Sequence, residues 1–355
     1  MSEEKTASVV NEQVQQKHEY GSDDKYKGHL DDYMIVKDLK MHFPVTKGLL
    51  KKQVGSVKAV DGVSFTIKRG ETLGLVGESG SGKTTIGNCL INRLNYTSGD
   101  IIFDGTNFKD MSKSAMRHAR KDLQMITQDP FASLDPRFTI EDVISEGIKI
   151  HHTITDKKAI HERVGNMLEM VGLRREYASR YPHEFSGGQR QRISIARALA
   201  IQPSFIVCDE IVSALDVSIQ AQIVNLMISI QEKLGLTYLF IGHDLSVVRY
   251  ISDNVAVLYL GKIMELTSSD ELYSHPLHPY TKALISAVPI PDPIVDSERE
   301  RIILKGEIPS PINPPKGCNF CTRCPYATQR CREEEPEFVD VGNDHFVACH
   351  LVTGK

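Results

Sequence analysis

Gly77-Glu78-Ser79-Gly80-Ser81-Gly82-Lys83-Thr84, with Thr85 beside it, follows the apolar run Leu73–Val76 and precedes a helical pattern at Ile86, Cys89, Leu90 and Leu94. A glycine-rich turn between a strand and a helix need bind nothing, but this one carries the residue types of a phosphate cradle in the context a cradle requires. Its glycines let successive N–H groups point inward, and the helix that follows adds its positive N-terminal end. Lys83 is then placed to reach the β- and γ-phosphates of a nucleoside triphosphate such as ATP, and the Thr84 hydroxyl to ligate Mg²⁺.

The surrounding chain is that of a globular protein. Its 355 residues, 41% hydrophobic and 25% charged, suffice for a large core and more than one unit. A net charge of −4 gives no electrostatic case for nucleic acid. No apolar run approaches the roughly 18 residues that cross a bilayer, and the N-terminus lacks the apolar segment of a signal peptide. The expected place is the cytosol, with docking on a membrane protein left open. Of seven cysteines, Cys89 and Cys208 sit alone in apolar segments and read as packing residues, whereas Cys318, Cys321, Cys324, Cys331 and Cys349 crowd the end.

Residues 1–32 are polar and mixed in charge and read as a mobile N-terminal arm. From Tyr33, Met34-Ile35-Val36 starts a strand leading to Phe43, and Val63, Phe65 and Ile67 alternate as another strand after an Asp61-Gly62 turn. Ile101-Ile102-Phe103 with Asp104-Gly105 makes a short strand and turn. From about 112 to 200 the pattern is mostly helical, a change that suggests a helical subdomain. Strand, helix and strand then alternate through Phe205–Cys208, the face Ile219, Ile223, Leu226, Met227, Ile230 and Leu234 closed by Gly235, and Tyr238–Ile241. A strand at Val255–Leu260 and a proline-rich stretch from Pro276 to Pro315 lead into the cysteine tail.

Two further stretches carry chemistry. Phe205–Cys208 ends in Asp209-Glu210, which puts two carboxylates at the carboxyl edge of a parallel sheet beside the phosphate loop. Asp209 would hold Mg²⁺, and Glu210 would orient and deprotonate the attacking water. Ser186-Gly187-Gly188-Gln189 offers a capping hydroxyl and exposed backbone N–H groups at the start of a helix, a second anion site.

Phe185-Ser186-Gly187-Gly188-Gln189 resembles the signature of the ATP-binding-cassette ATPases, and the family's other pieces follow in order from about Tyr33 to Leu260. The resemblance implies an α/β fold with a RecA-like parallel-sheet core, an antiparallel β subdomain and a helical subdomain. It further implies that Phe43 stacks on adenine, Gln128 senses Mg²⁺ and the γ-phosphate and touches a membrane partner, Asp216 crosses a dimer interface, and His243 contacts the γ-phosphate. Two chains would sandwich two ATP molecules, each signature completing the other's site. The sequence departs from the family at Ile211, where proline usually follows the catalytic glutamate, and altered loop stiffness rather than lost hydrolysis is expected.

The C-terminal part, His275–Leu284, Gly306–Ser310 and the cysteine segment, resembles the tail of ATPase subunits of oligopeptide and dipeptide importers, most closely the F-type. That implies a D-type ATPase partner, two transmembrane permease subunits, an external substrate-binding protein, and a place at the cytoplasmic face of the membrane. The expected division is an arm (1–32), a cassette (33–262) and an extension (263–355). Cys318, Cys324, Cys331 and Cys349 match family positions that resemble ligands of a [4Fe–4S] cluster, with Zn²⁺ or free thiols as alternatives. Cys321 departs from that pattern, so the ligand set shifts or one thiol is spare. Nickel complexes or glutathione are alternative cargoes. A soluble cassette ATPase acting on DNA or ribosomes is the reading of another class, and its usual heptad insertions and basic surface are missing.

Overall fold

Strand residues along this chain sort by parity onto two cores. Ile206, Cys208, Tyr238, Phe240, Val255 and Val257 belong to one buried cluster, while Phe205, Val207, Leu239, Ile241, Ala256 and Leu258 belong to another. Side chains of a strand alternate between faces, so a sheet covered on both sides is the consequence, and its strands read as continuous apolar runs. The computed structural model describes residues 31–47, 52–288 and 301–354. Nearly all of the N-terminal arm and part of the proline-rich stretch lie outside the described residues.

Strands β1 (Asp32–Lys47) and β2 (Lys52–Lys68) pair antiparallel and are joined by β4 (Ser98–Phe103) and β5 (Thr106–Asn107) in a four-stranded sheet. The main sheet contains β3 (Thr72–Val76), β6 (Leu123–Ile126), β7 (Phe205–Asp209), β8 (Thr237–Ile241), β9 (Asn254–Tyr259), β10 (Lys262–Ser268), β11 (Val339–Asp340) and β12 (Phe346–Val347). Its order is β11-β12-β10-β9-β3-β8-β7-β6, parallel from β9 to β6 and antiparallel beyond. Between β6 and β7 stand the helices Ile140–His151, Lys157–Met170 and Gly187–Leu199.

Three readings of the sequence need correction. Asp61-Gly62 makes no turn: β2 runs through it, and Gly62, at φ 90°, is the extra residue of a bulge between the pairs Leu39↔Val63 and Lys40↔Asp61. Inside the stretch read as mostly helical, Leu123–Ile126 is the edge strand of the parallel set; four residues are too few to show a period. The helix after the phosphate loop spans Lys83–Leu90, so Leu94 lies beyond its end. Cys89 and Cys208 are fully buried packing residues, as read.

The C-terminal segment is built onto the main sheet. Its β12 pairs with β10, and the fully buried carboxylate of Glu265 accepts from the Leu277 and His278 amides at 2.7 and 2.9 Å and bonds His345 Nε2 at 2.7 Å. His278 caps the helix Pro279–Ser286 through Nδ1, which accepts from the Tyr280 amide at 3.0 Å, and burial pushes its pKa down to about 3. The unfolded chain takes up this proton near the ordinary histidine value of about 6.5, whereas the folded chain refuses it. Stability is therefore lost as pH falls below that value, by up to about 1.4 kcal/mol per pH unit. His278→Asn keeps a capping oxygen, so the fall in melting temperature between pH 7 and pH 5 is expected to be shallower than in the wild type; parallel profiles would assign the acid sensitivity to other groups.

Candidate nucleotide site

The parallel register aligns the two halves of the site. Leu75 of β3 and Asp209 of β7 both lie opposite Ile241 of β8, so the phosphate loop and the carboxylate pair leave the same sheet edge one strand apart. The loop fits tightly against its surroundings. A Cβ on Gly77 (φ 150°) would come within 2.0 Å of the Leu258 carbonyl, and one on Gly82 (φ 110°) within 2.2 Å of the Ala59 carbonyl. Only glycine lets the backbone pass this closely in this conformation. Gly82 leaves the N-terminus of the helix Lys83–Leu90 without a side-chain cap, so its N–H groups remain available to an anion.

Lys83 is buried, and its Nζ donates to the Gly77 and Glu78 carbonyls at 2.7 and 3.1 Å. Burial lowers its pKa, while the carboxylates of Glu210, Asp209 and Glu78 oppose that shift. The Thr84 hydroxyl donates to Asp209 Oδ1 at 3.0 Å, which brings together the two groups expected to hold Mg²⁺. Burial, and next the charge of Glu210, raise the Asp209 pKa, a cost that a cation at this point would remove. Ser81 Oγ is buried with no hydrogen-bond partner. An unspent hydroxyl, uncapped helix N–H groups and a lysine turned onto its own loop fit a triphosphate with Mg²⁺.

Glu210 adopts a left-handed backbone at φ 49°, a conformation kept at sites where structure overrides local preference. Its Oε2 accepts from Gln128 Nε2 at 2.8 Å and lies 3.8 Å from His243 Nδ1. Ser213, in the motif that holds Asp216 but with no role expected of it, is 3.4 Å from Gln128 Nε2, and its hydroxyl donates to the Glu210 carbonyl at 2.9 Å. A cavity of about 40 Å³ opens here between Glu210, Ser213, Gln220 and His243. Ile211 is buried at the loop's base. Phe43 stands half-buried on β1 opposite Val57.

The signature residues are placed apart from this cluster. Ser186 and Gln189 close a capping box, with Ser186 Oγ accepting from the Gln189 amide at 3.3 Å and Gln189 Oε1 from the Ser186 amide at 3.0 Å. Among the described residues, no hydrogen bond joins Ser186–Gln189 to Gly77–Thr84. Gly187 and Gly188 instead face Leu215 and Ile219, next to Asp216, which is exposed.

The five tail thiols are free. Cys331 lies within electrostatic reach of the other four, and its carbonyl accepts from the Cys318 amide at 2.8 Å. Burial pushes Cys318 up to about 12 and raises Cys321, Cys324 and Cys349. Among the described residues no three Cys, His, Asp or Glu side chains stand close enough to grip a metal as they are placed. The donors are chemically suited to a thiophilic group but are not gathered around one point.

Two matched families divide the chain as its motifs do: ABC transporter over residues 60–213, and the C-terminal region of oligopeptide/dipeptide transporters over residues 264–331. The oligopeptide transport ATP-binding protein AppF of Bacillus subtilis is 56% identical over 317 residues, covering 89% of this chain and 96% of that protein. OppF of Haemophilus influenzae is 51% identical over 303 residues, covering 85% and 91%. Among solved structures, cbiO1 of Clostridium perfringens, part of the transporter complex cbiONQ, superposes with TM-score 0.59 at 26% identity over 69% of this chain and 92% of its own. The dimeric cassette MJ0796 bound to ADP and Pi superposes with TM-score 0.58 at 25% identity over 66% and 98%.

Proposed function

The chain belongs to the ATP-binding-cassette family as an ATP-binding subunit of oligopeptide importers, and we propose that its named residues divide the labour of ATP-driven import as follows. ATP hydrolysis by this subunit energises uptake of peptides, through pairing with a second ATPase subunit and attachment to membrane permeases. Gly77–Thr85 cradle the phosphates, Lys83 offsets their charge, and Thr84, Gln128 and Asp209 hold Mg²⁺, which supplies charge neutralisation when bound. Glu210 takes the proton of the attacking water as its oxygen bonds the γ-phosphorus and the β–γ bridging oxygen departs with ADP. His243 and Gln128 orient water and γ-phosphate, and Phe43 receives adenine. Ser186–Gln189 and Asp216 act on the partner's nucleotide, a reading supported by their separation from this chain's own loop.

The observation that carries this reading is the convergence of Thr84 on Asp209 and of Gln128 and His243 on Glu210, in a chain that also bears the peptide-transporter tail. A groove of about 700 Å³ lined by Gln128, Asp129, Glu146, Ile150, His151 and Arg197 begins at the same glutamine, which supports docking of a permease there. Among the described residues no helix is long and apolar enough to cross a membrane. We further assign the partner as a D-type ATPase, the location as the cytoplasmic face, cargo delivery to an external binding protein, and the units as 1–32, 33–262 and 263–355. In the assembled transporter, peptide is expected to stimulate ATPase activity. Glu210→Gln should still bind ATP while losing about 10²–10⁴-fold in turnover. Stimulation by a nickel complex or glutathione instead would reassign the cargo, and unchanged turnover in Glu210→Gln would remove the general base.

For the tail, we assign Cys318, Cys324, Cys331 and Cys349 to a [4Fe–4S] cluster, with Cys321 as the spare thiol and Zn²⁺ as the alternative occupant. Support comes from the all-thiol donor set, and no step of hydrolysis runs through the cluster. Anaerobically purified protein is expected to contain iron and a broad visible absorbance; zinc without iron would overturn the assignment.

A further inference from the structure

The cysteine loop carries, between Cys321 and Cys324, an arginine that reaches the phosphate loop. Arg323 donates from Nη1 to Glu78 Oε2 at 2.6 Å and from Nη2 to Glu78 Oε1 at 3.0 Å, a two-pronged pair between residues 245 positions apart. The Arg323 side chain is 8% exposed and that of Glu78 27%, so this pair is not a surface contact that solvent screens away. The backbone that carries Arg323 is itself anchored. The Arg323 amide donates to the Phe320 carbonyl at 3.0 Å, and the fully buried Phe320 ring wedges against Tyr259 and Tyr280 with centroids 5.3 Å from each. Tyr280 continues the same grip, since its hydroxyl accepts the Glu78 amide at 3.0 Å.

Glu78 is therefore fixed at three points: its carboxylate by Arg323, its N–H by Tyr280, and its carbonyl by Lys83. Two of the three holds come from the C-terminal extension. We propose that Arg323 is a positioning residue for nucleotide binding, through which the extension clamps the phosphate loop of its own chain and neutralises a carboxylate that would otherwise repel the triphosphate. The pair is close and shielded, and removal of one partner leaves the other as a half-buried uncompensated charge. Arg323 Nε is buried without a partner, and the guanidinium's hydrogen bonds go to Glu78 and, from Nη1 at 3.5 Å, to the Tyr259 hydroxyl.

The inference rests on Gly77–Thr84 being the ATP site, and ATP binding by the wild type tests that premise separately. ATP affinity of the full chain, and the ATP dependence of hydrolysis in the assembled transporter, are to be measured for Arg323→Gln, Glu78→Gln and the double variant. Arg323→Gln is expected to raise Kd and KM for ATP at least tenfold while kcat at saturating ATP changes less than threefold. Adding Glu78→Gln to it should restore most of the affinity, because no charge is then left unpaired. Arg323→Lys, which keeps the charge and loses the fork, should fall between, and it carries the same test if Arg323→Gln does not fold. Wild-type affinity in the folded arginine variants, or effects of the two single changes on Kd that simply add, would overturn the proposal.

Discussion

The parallel register in which Leu75 and Asp209 both face Ile241 is the constraint on which the rest of the molecule depends. A slip of one residue would exchange the side chains of β3 and β7 between the two cores and carry Asp209 away from Thr84. The two apolar cores, one on each face of the sheet, hold that register because each strand contributes alternate residues to both. The chemistry at the sheet edge is therefore a by-product of packing several residues deeper. At the edge itself, Glu210 takes a left-handed backbone, and in the glycine loop close approach of backbone to backbone leaves no room for a side chain.

The extension is part of the same mechanical unit. It adds β12 to the main sheet, buries Glu265 under His278 and His345, and packs Tyr280 and Phe320 against Tyr259 of β9 beside the phosphate loop. Farther along, the Pro311 carbonyl accepts from the Lys58 amide, next to Val57, the strand partner of Phe43. The tail thus touches both the phosphate loop and the strand pair that carries Phe43. Solved cassettes that align with about two thirds of this chain match its fold without accounting for all of it, which leaves room for such contacts to be particular to chains that carry this tail.

Much of this was legible in the sequence because the phosphate loop, Asp209-Glu210 and Ser186–Gln189 are short, contiguous patterns whose chemistry depends on neighbours in the chain. The strand-helix alternation from Ser204 onward was legible for the same reason. What escaped the sequence was set by long-range contact. The bulge at Gly62 looks like a turn until β1 supplies its partner residues, and Leu123–Ile126 is a strand only because β7 lies beside it. Ser213 and Arg323 stood within the motifs Ser213–Asp216 and Arg323-Cys324-Pro325, but their contacts were not legible there, since each meets a residue far away in the chain. Tyr280 stood within a motif that pointed to the tail, but nothing in that motif says its hydroxyl meets the phosphate loop.

The proposed action of Ser186–Gln189 on the partner's nucleotide would make Gly77–Thr84 half of a site, completed by a second ATPase subunit. Photoaffinity labelling with an azido-ATP, in the assembled transporter trapped with vanadate, reads which subunit's loop retains nucleotide. Replacing Ser186 by Arg in this chain should deplete the label on the partner's loop and spare the label on its own. Loss of label confined to the chain that carries the substitution would contradict the composite site.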